Sequence, residues 1–212
     1  MRVISVNVGM PRPVEWNGRR VMTGIFKEPV SGSIRMRRLN LDGDRQADLS
    51  VHGGPDKAVY VYPSEHYPFW RGELPGHELA WGAFGENLTS EGWWEDEVHI
   101  GDRFRIGTAE VVVTQPRMPC FKLGIRFGRN DVIPRFLESG RPGFYFRVLQ
   151  EGDVAAGDAM ERITEDPRRV TVVDLVRLYL DRDGEIGRDL LERAAQVEAL
   201  PRSWSEHLLR RL

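Results

Sequence analysis

Glu97-Val98-His99-Ile100-Gly101-Asp102-Arg103-Phe104-Arg105-Ile106, followed closely by Glu110-Val111-Val112-Val113-Thr114, sets the fold class. Residues 97–100, 103–106 and 110–114 read as strands, the first two joined by a tight turn at Gly101-Asp102. The same pattern of short apolar runs between turn residues recurs on both sides. It places further strands over 3–8, 21–26, 33–37, 58–62, 144–149 and 159–164. Regularly spaced short strands of this kind indicate a mainly β chain. Two short helices interrupt them. One covers residues 65–71 with Ser64 as its N-cap. The other covers 130–139, stops at Gly140, and carries Ile133, Phe136 and Leu137 on one face.

The pattern changes at Asp166-Pro167. Most of the 13 prolines and 22 glycines precede it, and helical spacing follows it. Thr171-Val172-Val173-Asp174 fits a capping box ahead of Leu175, Val176 and Tyr179. Residues 189–200 repeat the helical period up to Pro201, and Ser203-Trp204-Ser205-Glu206 reads as a second capping box opening a last helix. The expected organisation is a β domain over 1–166 and a three-helix domain over 167–212. Three short helices cannot bury enough surface alone, so they should pack on each other and on the β domain or a partner chain.

The 212 residues carry a formal charge of −2 and 29 % charged residues. That balance gives no nucleic-acid or membrane signature. No apolar run approaches a membrane span. The first nine residues read as a strand rather than a signal peptide. With one cysteine in the chain, this favours a reducing cytoplasm.

That cysteine, Cys120, follows the strand at 110–114 in Gln115-Pro116-Arg117-Met118-Pro119-Cys120-Phe121-Lys122-Leu123. A lone cysteine forms no internal disulfide. Arg117 and Lys122 bracket it, and cationic neighbours favour the thiolate, which is both nucleophile and soft-metal ligand. An inert buried thiol is the plain alternative. The loop from Leu41 to Tyr60 is polar and glycine-rich and runs into a strand. Its Gly53-Gly54 pair lets backbone N–H groups approach an anion, and His52 and Lys57 can add donors. A solvated turn explains the same residues. No Gly-Lys-Ser/Thr follows, so it is not a nucleotide P-loop. In Phe84-Gly85-Glu86-Asn87-Leu88-Thr89, Glu86 and Asn87 can hydrogen-bond a heterocycle, or Asn87 can satisfy its own turn. The six tryptophans form no stacking stripe. His66, His77, His99 and His207 lack metal-ligand spacing and read as surface or structural residues. No nucleophile elbow occurs.

Three segments together resemble the MOSC domain, named for the C-terminal domain of molybdenum cofactor sulfurase, and within it the YiiM-like branch. They are Gly43 to Tyr60, Phe84 to Leu88, and Gln115 to Leu123, in the family's order and with the cysteine in place. The match covers roughly residues 35–165, and the helical tail resembles that branch's three-helix domain. The resemblance implies a closed β-barrel with short helices plus a C-terminal three-helix module.

It also implies molybdenum cofactor, a molybdenum held by a pterin dithiolene, with Cys120 as its thiolate ligand and catalytic residue. Arg45, His52, Gly53, Gly54 and Lys57 would serve the pterin phosphate, Glu86 and Asn87 the pterin ring, and Arg117 and Lys122 the negative charge. The implied reaction is two-electron reduction of an N-hydroxylated compound such as 6-hydroxylaminopurine. A separate flavoprotein would donate the electrons, since no flavin or iron–sulfur motif occurs here. A homodimer is compatible with the leucine-rich last helix. The competing reading is a sulfur carrier with a persulfide on Cys120, serving metal–sulfur cluster or cofactor assembly. Lacking a desulfurase domain, the chain would have a pyridoxal-phosphate association by family name only. A third reading is a pterin-binding storage module.

Overall fold

Val59-Tyr60-Val61-Tyr62-Pro63 is buried along its whole length, yet its two faces differ. Side chains alternate across a strand, so the valines join one apolar core and the tyrosines another. The computed structural model describes residues 1–47, 53–181, 183–184 and 186–212. Along it run β1 (Arg2–Val8), β2 (Arg12–Trp16), β3 (Arg19–Thr23), β4 (Glu28–Pro29), β5 (Ile34–Met36), β6 (Val59–Pro63), α1 (Tyr67–Glu73), β7 (Leu88–Glu91), β8 (Arg103–Ile106) and β9 (Ala109–Pro116). They are followed by α2 (Phe121–Phe127), α3 (Val132–Glu138), β10 (Phe144–Gln150), β11 (Gly152–Val154), β12 (Met160–Thr164), α4 (Val172–Leu180), α5 (Arg188–Ala195) and α6 (Arg202–Leu209).

The main sheet has eight strands in the order β12-β8-β9-β10-β6-β7-β1-β4. Only the β6–β7 pair within it is parallel. An isolated bridge, Arg2 to Ala159, ties the start of β1 to the entry of β12. The fold is therefore sheet-dominated as expected, although its ladder is an open order with one bridge rather than the continuous closed barrel that was expected. β10 repeats the two-faced pattern of β6, with Phe144, Phe146 and Val148 in the first core and Tyr145 against the second. The second core lies under α1, α2 and α3. Trp70, Phe136 and Phe84 pack there around Tyr62, with the Trp70 and Phe136 rings stacked at 5.6 Å.

The C-terminal helices join the first core through Leu175, Leu178, Leu191, Ala194, Trp204 and Leu208. They pack on the sheet as well as on each other. Trp204 Nε1 donates to Gln115 Oε1 of β9 at 2.9 Å.

Several boundaries differ from the sequence reading. Residues 97–100 form turns, not a strand, because Val98 and Ile100 turn inward to pair with the 170–172 segment instead of β8. β8 pairs with β9. The strand expected over 21–26 is β3, which forms a hairpin with β2. Its turn is Asn17-Gly18, both at positive φ, the geometry that Asn-Gly supplies at least strain. Ser64 opens a 3-10 turn without capping it. The Thr171–Asp174 capping box is present. The second is not. Pro201 precedes α6, which starts at Arg202, so Ser203 already lies inside the helix and Glu206 accepts from Arg202 at 2.6 Å. The helix expected over 189–200 ends at Ala195, where the chain turns back on itself. α2 was not anticipated.

The loop leading into β7 is organised by one buried carboxylate. Glu86 is fully buried and accepts from the Tyr67 hydroxyl, Gly82 N at 2.8 Å, Phe84 N at 3.0 Å and Thr89 Oγ1 at 3.0 Å. Burial pushes its carboxyl above the usual range, and the donated hydrogen bonds oppose that shift. Removing a buried acceptor leaves each donor unsatisfied, at about 1–3 kcal/mol per group. Glu86→Ala is therefore expected to lower unfolding free energy by roughly 3–5 kcal/mol. Urea denaturation checks this. A loss below about 1 kcal/mol would mean that the loop does not depend on this carboxylate.

Candidate functional site

Strand β9 leaves the sheet at Pro116, and residues 117–120 carry the chain to α2. Cys120 occupies the N-cap position with extended backbone (φ −131°, ψ 170°), and its side chain makes no cap hydrogen bond. The thiol is half-buried and free. It opens onto a cleft of about 660 Å³ of empty space whose wall includes Gly24, Ile25, Gly53, Tyr60, Asn87 and Tyr145.

The charge of that cleft is one-sided. Lys27, Arg45, Lys57, Arg117 and Lys122 line it, and no carboxylate does among the described residues. Lys27 is neutralised from behind by an ion pair with buried Asp44. Burial lowers the pKa of the Lys27 ammonium, with Asp44 opposing. Burial likewise pulls Lys57 down, and the Cys120 sulfur opposes. Arg117 is 6 % exposed and lies over the Tyr60 ring at 5.2 Å and the Phe136 ring at 4.9 Å. Cation–π contact offsets part of the cost of burying the guanidinium. Its Nη1 is nevertheless buried with no hydrogen-bond partner among the described residues. Tyr145 and Tyr60 are pushed to higher pKa by burial, with Arg117 opposing in both.

Lys57 is delivered by the 3-10 turn Pro55–Lys57, which starts from Gly54 at φ 80°. That turn is anchored to the sheet. Thr114 Oγ1 donates to the Asp56 carbonyl at 2.7 Å, and Arg147 Nε donates to its carboxylate at 2.6 Å. Gly53 lines the cleft; Gly54 does not, and a side chain there would meet open space. Its positive φ explains the glycine. Arg45 reaches the cleft because its carbonyl packs on Gly24, where a Cβ would lie 2.4 Å away. His52 lies outside the described residues.

The heterocycle pair separates. Asn87 is on the cleft wall, but its amide is engaged within the protein. Oδ1 accepts from Tyr60 N at 3.1 Å, and Nδ2 donates to Asp44 Oδ2 at 2.9 Å. Glu86 lies behind the wall, saturated by its four donors. The structure thus brings Arg45, Gly53, Lys57, Asn87, Arg117, Cys120 and Lys122 together and sets Gly54 and Glu86 back. Sequence reading missed Lys27, Tyr60 and Tyr145. The alternation in β6 and β10 signals both tyrosines, whereas nothing local marks Lys27.

A second cleft, about 1020 Å³ of empty space, lies on the other side of the same loop. Lys57, Met118, Cys120 and Tyr145 are common to both. Its outer wall is Tyr179 of α4 with Trp204 and His207 of α6. Among the described residues no cluster of three or more His, Cys, Asp or Glu side chains could hold a metal ion. No described helix is long and apolar enough to cross a membrane.

The MOSC domain family model matches residues 48–161, which hold the loop before β6, the Glu86–Asn87 turn and Cys120. YflK of Bacillus subtilis is 42 % identical over 210 residues, spanning 99 % of this chain and 93 % of that protein. YiiM of Escherichia coli is 35 % identical, spanning 89 % and 84 %. A longer protein from Gibberella moniliformis named a reductase is 32 % identical over 85 % of this chain, which corresponds to 32 % of its own length. The crystal structure of YiiM from Geobacillus stearothermophilus superposes with a TM-score of 0.81 at 33 % identity, covering 100 % of this chain and 98 % of that one. On this family match and these full-length likenesses the chain belongs to the MOSC family, as a YiiM-like member.

Proposed function

We propose that this protein binds molybdenum cofactor through Cys120 and reduces N-hydroxylated substrates. One observation carries the reading: the only thiol opens onto a cleft lined by five cations and no carboxylate among the described residues. The residues fit the group. A pterin dithiolene and its phosphate are anionic, and Arg117 holds a buried donor, Nη1, with no partner among the described residues. Lys57, Arg45 and Lys122 add screening charge around it. A thiolate suits a soft redox metal. The absence of a multidentate protein cluster among the described residues suits a metal that arrives with its own organic ligand.

Within this reading Cys120 fixes the metal end and Arg117, with the Gly53–Lys57 turn, fixes the phosphate end. When bound, the cofactor supplies two-electron oxygen-atom chemistry. The net change is R–NHOH plus two electrons and two protons giving R–NH2 and water. A separate flavoprotein would be the electron source. The relative named a reductase, of which this chain matches about a third, supports the reaction class.

Two measurements test it. Protein made in a host able to synthesise the cofactor should carry molybdenum near one per chain, and Cys120→Ala should lose most of it. No metal and no pterin in the wild type, with a persulfide on Cys120, would replace the reductase with the sulfur carrier.

The second concerns Arg117. A buried donor left unsatisfied costs stability in the empty protein, and an anion bound there stabilises the folded state by mass action. Arg117→Met keeps an unbranched apolar stem at this position and removes the guanidinium that lies over Tyr60 and Phe136. The cofactor-free variant should melt at or above the wild type, and should lose the rise in Tm that loading gives the wild type. Differential scanning calorimetry of the two proteins, loaded and empty, reads this. A variant that loads and gains stability like the wild type would remove Arg117 from the phosphate site.

A further inference from the structure

The second cleft is walled by core rings, Trp204 and Tyr145, and by two rings outside both cores, Tyr179 and His207. Tyr179, next to the end of α4, is 47 % exposed and packs beside Trp204 at 5.6 Å and His207 at 6.0 Å. Trp204 is fixed from behind by its hydrogen bond to Gln115, so this aromatic wall is held rigidly over the loop that carries Cys120. Tyr145 faces it from β10. The charges on the wall are Lys57 and Arg210, and no carboxylate lines it among the described residues. Its cavity volume of about 430 Å³ lies within the size range of small-molecule sites, about 300–1,000 Å³.

Cys120 lies on the boundary of both clefts. A group bound to its sulfur from the cationic side can therefore be reached from the aromatic side. The cationic cleft suits a phosphate-bearing anion. The aromatic one suits a flat, largely uncharged ring, which gains from stacking and has no cation of its own to be repelled.

We propose that the cleft between α4, α6 and the Cys120 loop is the substrate subsite, binding a planar nitrogen heteroaromatic ring against Tyr179 and His207 with its N-hydroxyl edge toward Cys120. This rests on the proposed reductase reading for the identity of the reacting group, but the stacking site itself does not. The C-terminal helices thereby acquire a role: they supply the substrate wall, and the sheet supplies the cofactor wall.

The test is equilibrium binding of 6-hydroxylaminopurine and of adenine to the full-length chain by calorimetry, with molybdenum content measured on the same samples. Wild type should bind both. Tyr179→Ala and His207→Ala should each weaken binding about ten-fold. Tyr179→Phe should restore it. Leu209→Ala, an exposed change outside the cleft lining, should match the wild type. Molybdenum per chain should be unchanged in all of them. Equal affinity in Tyr179→Ala, or no binding by the wild type, overturns the subsite. So does competition by inorganic pyrophosphate, which would place the purine in the cationic cleft. Tyr179-dependent binding in protein without metal or pterin supports the subsite while the cofactor reading fails. Stoichiometric metal with binding indifferent to Tyr179 and His207 does the reverse.

Discussion

The two-sided burial of β6 is the constraint on which the molecule depends. Val59 and Val61 fill one core, and Tyr60 and Tyr62 fill the other. A shift of one residue would exchange them, placing two hydroxyls among the valines of the first core. Asn87 holds the register from the side. Its backbone N donates to the Tyr60 carbonyl at 2.8 Å, and its side-chain oxygen accepts from Tyr60 N. Tyr60 in turn is a platform for Arg117. The cationic cleft is thus a consequence of where one strand sends alternate side chains.

Charge is the second organising term. The chain as a whole is slightly acidic, at −2, so the cluster of cations around Cys120 is local. Like charges held close in a partly buried cleft repel, and folding alone gives no reason to collect them. Lys27 is an exception, since Asp44 neutralises it and Asp44 is itself held by Gly9 N and Asn87. For Arg117 the protein supplies ring faces but leaves a donor open. A lysine would not serve equally well. Its compact ammonium is more strongly hydrated, whereas a guanidinium can lie flat on two rings and still present N–H groups at its edge. Such an arrangement leaves a fixed N–H edge that an anion could meet without rearrangement of the rings.

Much of this was legible in the sequence, for identifiable reasons. The strands at β1, β6, β8, β9, β10 and β12 are marked by short apolar runs between turn residues, and most of the first core follows from them. Thr171 and Asp174 are three apart before an apolar run, and the capping box forms. The Asn17-Gly18 hairpin had an equally clear signal in Asn-Gly and was overlooked because β2 and β3 are largely exposed and lack alternating apolar residues. α2 was missed because Pro119 and the cysteine drew the segment toward a loop reading, although Phe121 to Phe127 has helical spacing. Glu86 looked like a ligand contact because it is polar beside glycines. Its use as a buried acceptor depends on Tyr67 and Thr89, which only tertiary structure brings near. His207 read as structural for want of metal spacing, and its ring partner Tyr179 lies on another helix.

Strand β9 joins these pieces. At its end it places the Arg117 to Cys120 loop, and Gln115, one step earlier, fixes Trp204 of α6. Its neighbour β10 supplies Tyr145 to both clefts. The position of the aromatic wall relative to the thiol is therefore set by adjacent residues of one strand rather than by packing among the helices alone. Two consequences follow from that geometry. The helical tail cannot rotate on the sheet without breaking the Trp204–Gln115 bond, whose partners are both buried, so the spacing between the aromatic wall and Cys120 is as rigid as the sheet. And a ligand in either cleft meets walls common to the two, since Lys57, Met118, Cys120 and Tyr145 line both. The cationic and aromatic clefts thus meet along side chains that line both, and the Cys120 thiol is among them.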